Sequence, residues 1–445
     1  MPPKSFTYFI KVFGCQMNYA DAEKIFSTLA KKGWKKAADL SSAHLLVAVS
    51  CGVRQGAEDR VINWLEKTRK TNPGAILVLA GCLGHREDLK QRLRNIVDYF
   101  LPAGKRLPSS LINPLYPVLA KGESAYGGNP IYLSRAYIPI TVGCDNFCSY
   151  CVVPYARGRE RSLPPENIIK KAKNLVKKGY KELFLLGQNV NSYRGADRKG
   201  KVWTFSQILR TLNAVPGNFW IKFISSHPKD INREMMLAVK DCRKVSKNLH
   251  LPLQSGSNKI LLAMNRKYRR SDYLATVNEI KKNIPDVVLS TDIIVGFPGE
   301  TARDFRASLS AVREVGFEML YALKYSPRPE TAAFKLKDDV PAWMKKERQQ
   351  KLDRVWKKIA LKKNKRFLGK NTLILIDRIK QKTNRKGSVN FYALGKNFEN
   401  KDVAALIKRS GKSKHNLAGK WGVARINQVG ALGLSGELVE GEKNV

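Results

Sequence analysis

Three apolar runs near the start of the chain each lead into a cysteine, and no other feature limits the possible folds as much. YFIKVFG runs into Cys15, HLLVAVS into Cys51 and AILVLAG into Cys82. Helical patterns follow each run: ADAEKIFSTLAKKG, EDRVINWLEKTRK and REDLKQRLRNI. Strand–helix alternation of this kind predicts a parallel α/β sheet over residues 6–112, within a first domain at 1–112. Open parallel sheets bind ligands at the carboxyl ends of their strands. Three thiols spaced 36 and 31 residues apart are therefore expected at one sheet edge.

A Pro/Gly-containing stretch at 113–135 reads as a linker. Beyond it the alternation resumes over 136–367, with candidate strands YIPITVG, ELFLLG, WIKFISS, NLHLPLQ, VVLSTDIIVGF and MLYALKYS. Six such units predict a partial (β/α)6 barrel with its chemistry at the C-terminal strand ends. A basic helix over 341–367 closes this domain. Residues 368–440 change to short strands without a strong helix, which predicts a small β-barrel of a kind often used to hold nucleic acid.

The first barrel strand leads directly into GCDNFCSYC, where Cys144, Cys148 and Cys151 stand in C-x3-C-x2-C spacing. Thiolates are soft ligands suited to iron–sulfur clusters, and a cubane asks for four of them. Three close cysteines leave one iron open to a small molecule, as catalytic metals keep an open position. A zinc knuckle or a thioredoxin-like C-x-x-C are the rival readings. Zinc wants a fourth protein ligand, and no His or Cys follows nearby in sequence.

Later strand ends carry polar or glycine-containing turns: LGQNVNSYRG, SSHPKDI, LPLQSGSN and IVGFPGET. Each alone is an ordinary βα turn; at successive strand ends they suit a nucleotide-like cofactor. Gly187 and Gln188 are expected to present backbone groups to an amine. Ser225, Ser226 and Gln254 are expected to hydrogen-bond ribose or carboxylate. Gly296 and Gly299 would permit close backbone approach to an adenine. His227 reads as a positioned structural histidine rather than a base, and Cys242 as an incidental helix residue.

Composition narrows the partners. Lys and Arg number 81 against 37 Asp and Glu, a net charge of +44. Solubility is served by a far smaller imbalance, so a polyanion is the expected partner, nucleic acid before membrane. The longest apolar runs fall well short of a membrane span, and the N-terminal residues lack a signal-peptide core. The expectation is a cytoplasmic protein, whose seven cysteines stay out of structural disulfides.

With these residues in view, the chain resembles the methylthiotransferases among radical S-adenosylmethionine (SAM) enzymes. The resemblance rests on Cys15, Cys51 and Cys82, then CDNFCSYC with Tyr150 before its last cysteine, then a terminal β domain. FGCQMN, VVPYARGRERS, LGQNVNSYRG, SSHP, HLPLQSGSN and DIIVGFPGET are most similar to the MiaB branch. VSCGVRQGA departs from the usual NTCSIREKA, and KRSGKSKHN at 408–416 is a basic insertion.

The resemblance implies two [4Fe–4S] clusters, one on each cysteine triplet, with SAM on the barrel cluster and Tyr150 beside it. It also implies a terminal TRAM domain. One electron would cleave SAM to a 5′-deoxyadenosyl radical that takes hydrogen from C2 of isopentenylated adenosine at position 37 of tRNA. The second cluster would present the sulfur that is methylated and transferred. Implied partners are the tRNA anticodon stem-loop, an electron donor such as flavodoxin or ferredoxin, and a sulfur source. Two alternatives stay open here. One is a sister enzyme acting on threonylcarbamoyladenosine tRNA or a ribosomal-protein aspartate. The other is a nucleic-acid-binding protein whose clusters are structural or redox-sensing.

Overall fold

A computed structural model describes residues 6–112, 134–383, 389–408 and 417–441. Nearly all of the expected linker at 113–135 and of the basic insertion at 408–416 therefore lies outside the described residues. No helix among the described residues is long and apolar enough to cross a membrane.

The first domain is a five-stranded, wholly parallel sheet. Its order is Lys35–Lys36, Thr7–Phe13, Leu45–Ser50, Ile76–Gly81 and Tyr99–Pro102. The three expected strands form its centre, and two short edge strands with weak apolar patterns complete it. All six residues of Leu45–Ser50 are buried. Leu45, Val47 and Val49 pack with Ala22, Ile25 and Leu29 of the helix Gln16–Lys31. Leu46 and Ala48 pack with Val61, Ile62 and Leu65 of the helix Gln55–Thr71. Alternate residues thus face opposite helices, which is why the strand reads as an unbroken apolar run. The third expected helix shrinks to Glu87–Arg92.

Six parallel strands follow in chain order: Arg135–Pro139, Glu182–Leu186, Trp220–Phe223, Asn248–His250, Val288–Val295 and Met319–Lys324. They form two three-stranded sheets, linked by a parallel bridge between Ile221 and Val245. Among the described residues no pairing joins the first strand to the last, so the barrel is partial, as its unit count predicts. The N-terminal domain spans that gap. On one side Tyr19 stacks on Tyr137 of the first strand, with ring centroids 6.0 Å apart. On the other, Arg328, beyond the last strand, pairs with Glu58 at 2.8 Å, and Glu330 with His85 at 2.9 Å. Cys242 caps the helix Arg233–Asp241 and is buried in the barrel core.

The helix Ala342–Asn364 lies over the last barrel strands and leads to a closed five-stranded barrel. Its strands are Asn371–Thr383, Val389–Asn397, Asp402–Leu406, Trp421–Val429 and Gly433–Gly441. Every pairing is antiparallel except the parallel one between Asp402–Leu406 and Gly433–Gly441. This domain docks where the large barrel's strands begin. Trp421 meets Trp220 edge-on at 4.4 Å, Lys222 donates to the Asn397 carbonyl, and Lys401 pairs with Glu318 at 2.8 Å. The opposite end carries the cysteines.

Candidate active site

Parallel register assembles the N-terminal triplet. Phe13 pairs with Ser50 and Ser50 with Gly81, so the next residues of those strands share one edge. The Cys51 amide donates to the Phe13 carbonyl and the Cys82 amide to the Ser50 carbonyl, both at 3.0 Å. Cys15 caps the N-terminus of the helix Gln16–Lys31, where the helix dipole favours a thiolate.

FGCQMN is explained by close approach. A Cβ on Gly14 would lie 2.2 Å from Asn18 Oδ1 and 2.7 Å from Cys51 Cβ. Asn18 is wholly buried; its Oδ1 accepts from the Cys15 amide at 3.2 Å and its amide donates to the Ser50 carbonyl at 2.8 Å. Hydrogen bonding with Cys51 brings the Cys15 thiol down to about 6, while the same pairing and burial push Cys51 up. Burial also pushes Cys82 up. Ser50 is buried and donates to the Ala80 carbonyl at 3.0 Å.

The barrel triplet is built from one short loop. Gly143 has φ +83°, and a Cβ there would meet the Arg159 carbonyl at 2.1 Å, so only glycine fits. The Cys151 amide donates to the Cys148 carbonyl at 3.0 Å, and the Asn146 amide reaches the Cys144 sulfur at 3.3 Å. Arg266, buried, points one guanidinium nitrogen at the Cys148 sulfur, 3.5 Å away. Tyr268 and the Pro252 carbonyl hold its other nitrogens at 2.8 and 3.0 Å. Tyr150 packs against the apolar cluster of Ile260, Met264, Ile294 and Phe297, and burial pushes its hydroxyl far up.

The strand-end residues divide by what they do. Gln188 accepts from the Gly143 amide at 2.7 Å, so its side chain braces the cysteine loop. A Cβ on Gly187 would overlap Thr141, and one on Gly296 would overlap Lys345. Both glycines therefore serve packing between elements, whereas Gly299 has open space around it. Ser225 and Gln254 hold left-handed backbones, with φ +72° and +67°, a strain often kept at functional sites. The Ser226 hydroxyl, Gln254 Oε1 and Asn189 Oδ1 are buried with no hydrogen-bond partner among the described residues. A buried polar atom left unpaired is costly, and a polar ligand at this mouth would relieve it. His227 is kept neutral, its pKa brought down to about 2 by burial and by Arg266 and Lys229, while Nδ1 accepts from the Lys229 amide.

The donor sets fit iron–sulfur clusters bound with SAM: three thiols at each site, and unsatisfied polar atoms at the barrel mouth. Among the described residues no three His, Cys, Asp or Glu side chains are placed to hold a single metal ion. A cubane spreads its thiolates over several irons and does not require them to converge on one point. Sequence reasoning missed Asp21, Arg157, Arg266 and the half-buried His250–Asp292 pair at 3.2 Å. Arg157 lies within the quoted VVPYARGRERS motif, and Arg266 carries no spacing signal at all.

Residues 138–312 match the Radical SAM superfamily and residues 7–101 the uncharacterized protein family UPF0004. The tRNA-2-methylthio-N(6)-dimethylallyladenosine synthase of Thermoanaerobacter pseudethanolicus is 37% identical, over 98% of this chain and 93% of its own length. The protein of the same name from Clostridium tetani is 40% identical, over 83% of this chain and 85% of its own. Among solved structures, the radical SAM methyltransferase TsrM from Kitasatospora setae shares the fold. Its TM-score is 0.50 at 12% identity, covering 85% of this chain and 79% of that one. With relatives this similar along nearly the whole chain, and both triplets in position, the protein belongs to the radical SAM methylthiotransferase family that includes these synthases.

Proposed function

We propose that this protein adds a methylthio group to C2 of N6-isopentenyladenosine at position 37 of tRNA, using SAM and a [4Fe–4S] cluster on each triplet. The observation that carries this reading is the contact between the N-terminal thiol edge and the segment that follows the barrel triplet. The N-terminal edge closes the open side of the barrel, and Arg157, six residues beyond Cys151, touches the Cys82 sulfur at 3.3 Å. A second thiol triplet on that side of the barrel gives the transferred sulfur a site of its own.

Bound at these sites, the clusters would supply the electron that cleaves SAM and the sulfur that is transferred. The chain's own residues do the rest. Ser226, Gln254 and Asn189 offer unpaired acceptors and a hydroxyl to the polar end of SAM. Gln188 and Gly143 hold the loop of Cys144, Cys148 and Cys151. The N-terminal domain covers the gap and excludes water from a site where a reactive carbon species must survive.

The terminal barrel, read as a TRAM domain, sits at the far end, and the excess of cationic side chains along the chain suits the phosphates of an anticodon stem-loop. A low-potential donor such as flavodoxin or ferredoxin, a sulfur source and a cytoplasmic location complete the reading.

Mass analysis of tRNA nucleosides from a strain lacking the protein tests it. The methylthiolated nucleoside should vanish and its isopentenylated precursor accumulate. Accumulation of threonylcarbamoyladenosine lacking its methylthio group would transfer the protein to the sister branch. An isopentenyl group is apolar and a threonylcarbamoyl group carries a carboxylate, so one pocket should reject the other's substrate. Affinity for tRNA should fall steeply with salt, with a log–log slope of several units if roughly 5–8 phosphates are neutralised.

A further inference from the structure

Arg157 ends the short helix Val153–Arg157, just past the barrel triplet, yet its side chain leaves the barrel. One guanidinium nitrogen, Nε, faces the Cys82 sulfur at 3.3 Å, and another, Nη2, pairs with Asp21 at 2.7 Å. The Arg157 and Asp21 side chains are only 4% and 10% exposed. An arginine this deeply buried is costly unless opposite charge surrounds it. The geometry provides one carboxylate and one cysteine sulfur, which becomes a thiolate when a cluster is bound. The planar fork fixes direction as well as charge: Asp21, from the N-terminal helix, aims Nε at the sulfur. None of the chemistry already assigned to the barrel triplet uses this side chain.

We propose that Arg157 is a positioning residue of the N-terminal site. Aimed by Asp21, it holds the Cys82 thiolate from the barrel side and raises the reduction potential of the cluster bound there. The sign follows from electrostatics. Reduction adds one negative charge to the cluster; a nearby cation and an N–H to a ligand sulfur stabilise the reduced form. Asp21 opposes that effect through its own charge while supplying the aim. This inference rests on the proposed assignment of a cluster to Cys15, Cys51 and Cys82.

The experiment is a potentiometric titration of the reconstituted full-length protein, with dithionite as electron source, mediator dyes and electron paramagnetic resonance detection. The full-length C144A/C148A/C151A variant identifies the N-terminal signal. Absence of any iron–sulfur signal in that variant refutes the cluster assignment itself, separately from the role of Arg157.

Given the signal, Arg157→Gln should shift its potential downward. Asp21→Asn, which keeps an acceptor for Nη2 and so the aim, should shift it upward. Arg157→Lys, which keeps the charge without the planar fork, should fall between Arg157→Gln and wild type. A role confined to holding the domains together predicts no such opposite pair of shifts. The proposal is overturned if Arg157→Gln leaves the potential unchanged, or if Asp21→Asn fails to raise it. Should Arg157→Gln lose the N-terminal iron, Arg157→Lys decides instead: a potential below wild type supports the proposal and an unchanged one overturns it.

Discussion

The two cysteine triplets reach one mouth by opposite routes. The barrel set is local in sequence: Cys144, Cys148 and Cys151 occupy one loop after one strand, held by its own hydrogen bonds and by braces from Gln188, Ala263 and Met264. The N-terminal set is non-local: its three thiols come from three strand ends and share an edge only because the strands are in parallel register. A local site survives as long as its loop does. A register-built site depends on a whole sheet and on the small residues that let strands and helix approach. Both sets end up against a buried arginine contributed by the barrel domain, Arg266 at Cys148 and Arg157 at Cys82.

The sharpest way to break this comparison is to remove each triplet. Alanine at Cys144, Cys148 and Cys151 should abolish SAM cleavage and leave roughly half of the about eight irons expected from two cubanes. Alanine at Cys15, Cys51 and Cys82 should also halve the iron, but cleavage should persist while methylthiolated product disappears. Product formation at the wild-type rate in the second variant would mean that the N-terminal thiols do not supply the sulfur site. Iron assay, deoxyadenosine release and nucleoside analysis read the three quantities.

Glycine substitutions come next. Gly14→Ala forces a Cβ onto Asn18 and Cys51, and should cost the N-terminal iron while sparing SAM cleavage. Gly143→Ala, at φ +83° and against the Arg159 carbonyl, should do the reverse. If both variants lost the same cluster, the two sites would not be built independently.

The smallest effects test the braces. Asn18→Ala removes two hydrogen bonds, to the Ser50 carbonyl and from the Cys15 amide, while the carbonyl keeps the Cys82 amide, and should cost about 1–3 kcal/mol by chemical denaturation. Gln188→Met leaves the buried Gly143 amide without this acceptor and should cost about 1–3 kcal/mol. Loss of the barrel iron on Asn18→Ala, or of the N-terminal iron on Gln188→Met, would break the contrast between the loop and the register-built edge.

Much of this was legible in the chain. Apolar runs of strand length, each followed by a helical period, announce parallel sheets, because burial on both faces demands unbroken apolar strands. The C-x3-C-x2-C loop needs only local geometry, so its spacing is enough to find it. The thiols at the ends of YFIKVFG, HLLVAVS and AILVLAG were placed at one edge by the same logic. Less was legible where a residue's task depends on a neighbour far away in sequence. Gly187 reads as offering backbone groups to an amine and Gly296 as allowing close backbone approach to adenine. That a side chain at either would strike Thr141 or Lys345 is a separate constraint that the sequence does not show.

By itself, then, the sequence determined the principal strands and helices, their three-part order and the strand ends at which the six thiols fall, since these follow from periodicity and turn chemistry. Tertiary structure alone decided which domain closes the open barrel and which end the terminal barrel occupies. It also decided that Arg157 would leave its own domain to meet Asp21 and Cys82. The physical reason is burial of charge. A lone arginine in a motif has no periodicity to betray its partner, and its partners are chosen only when two domains pack and exclude water between them.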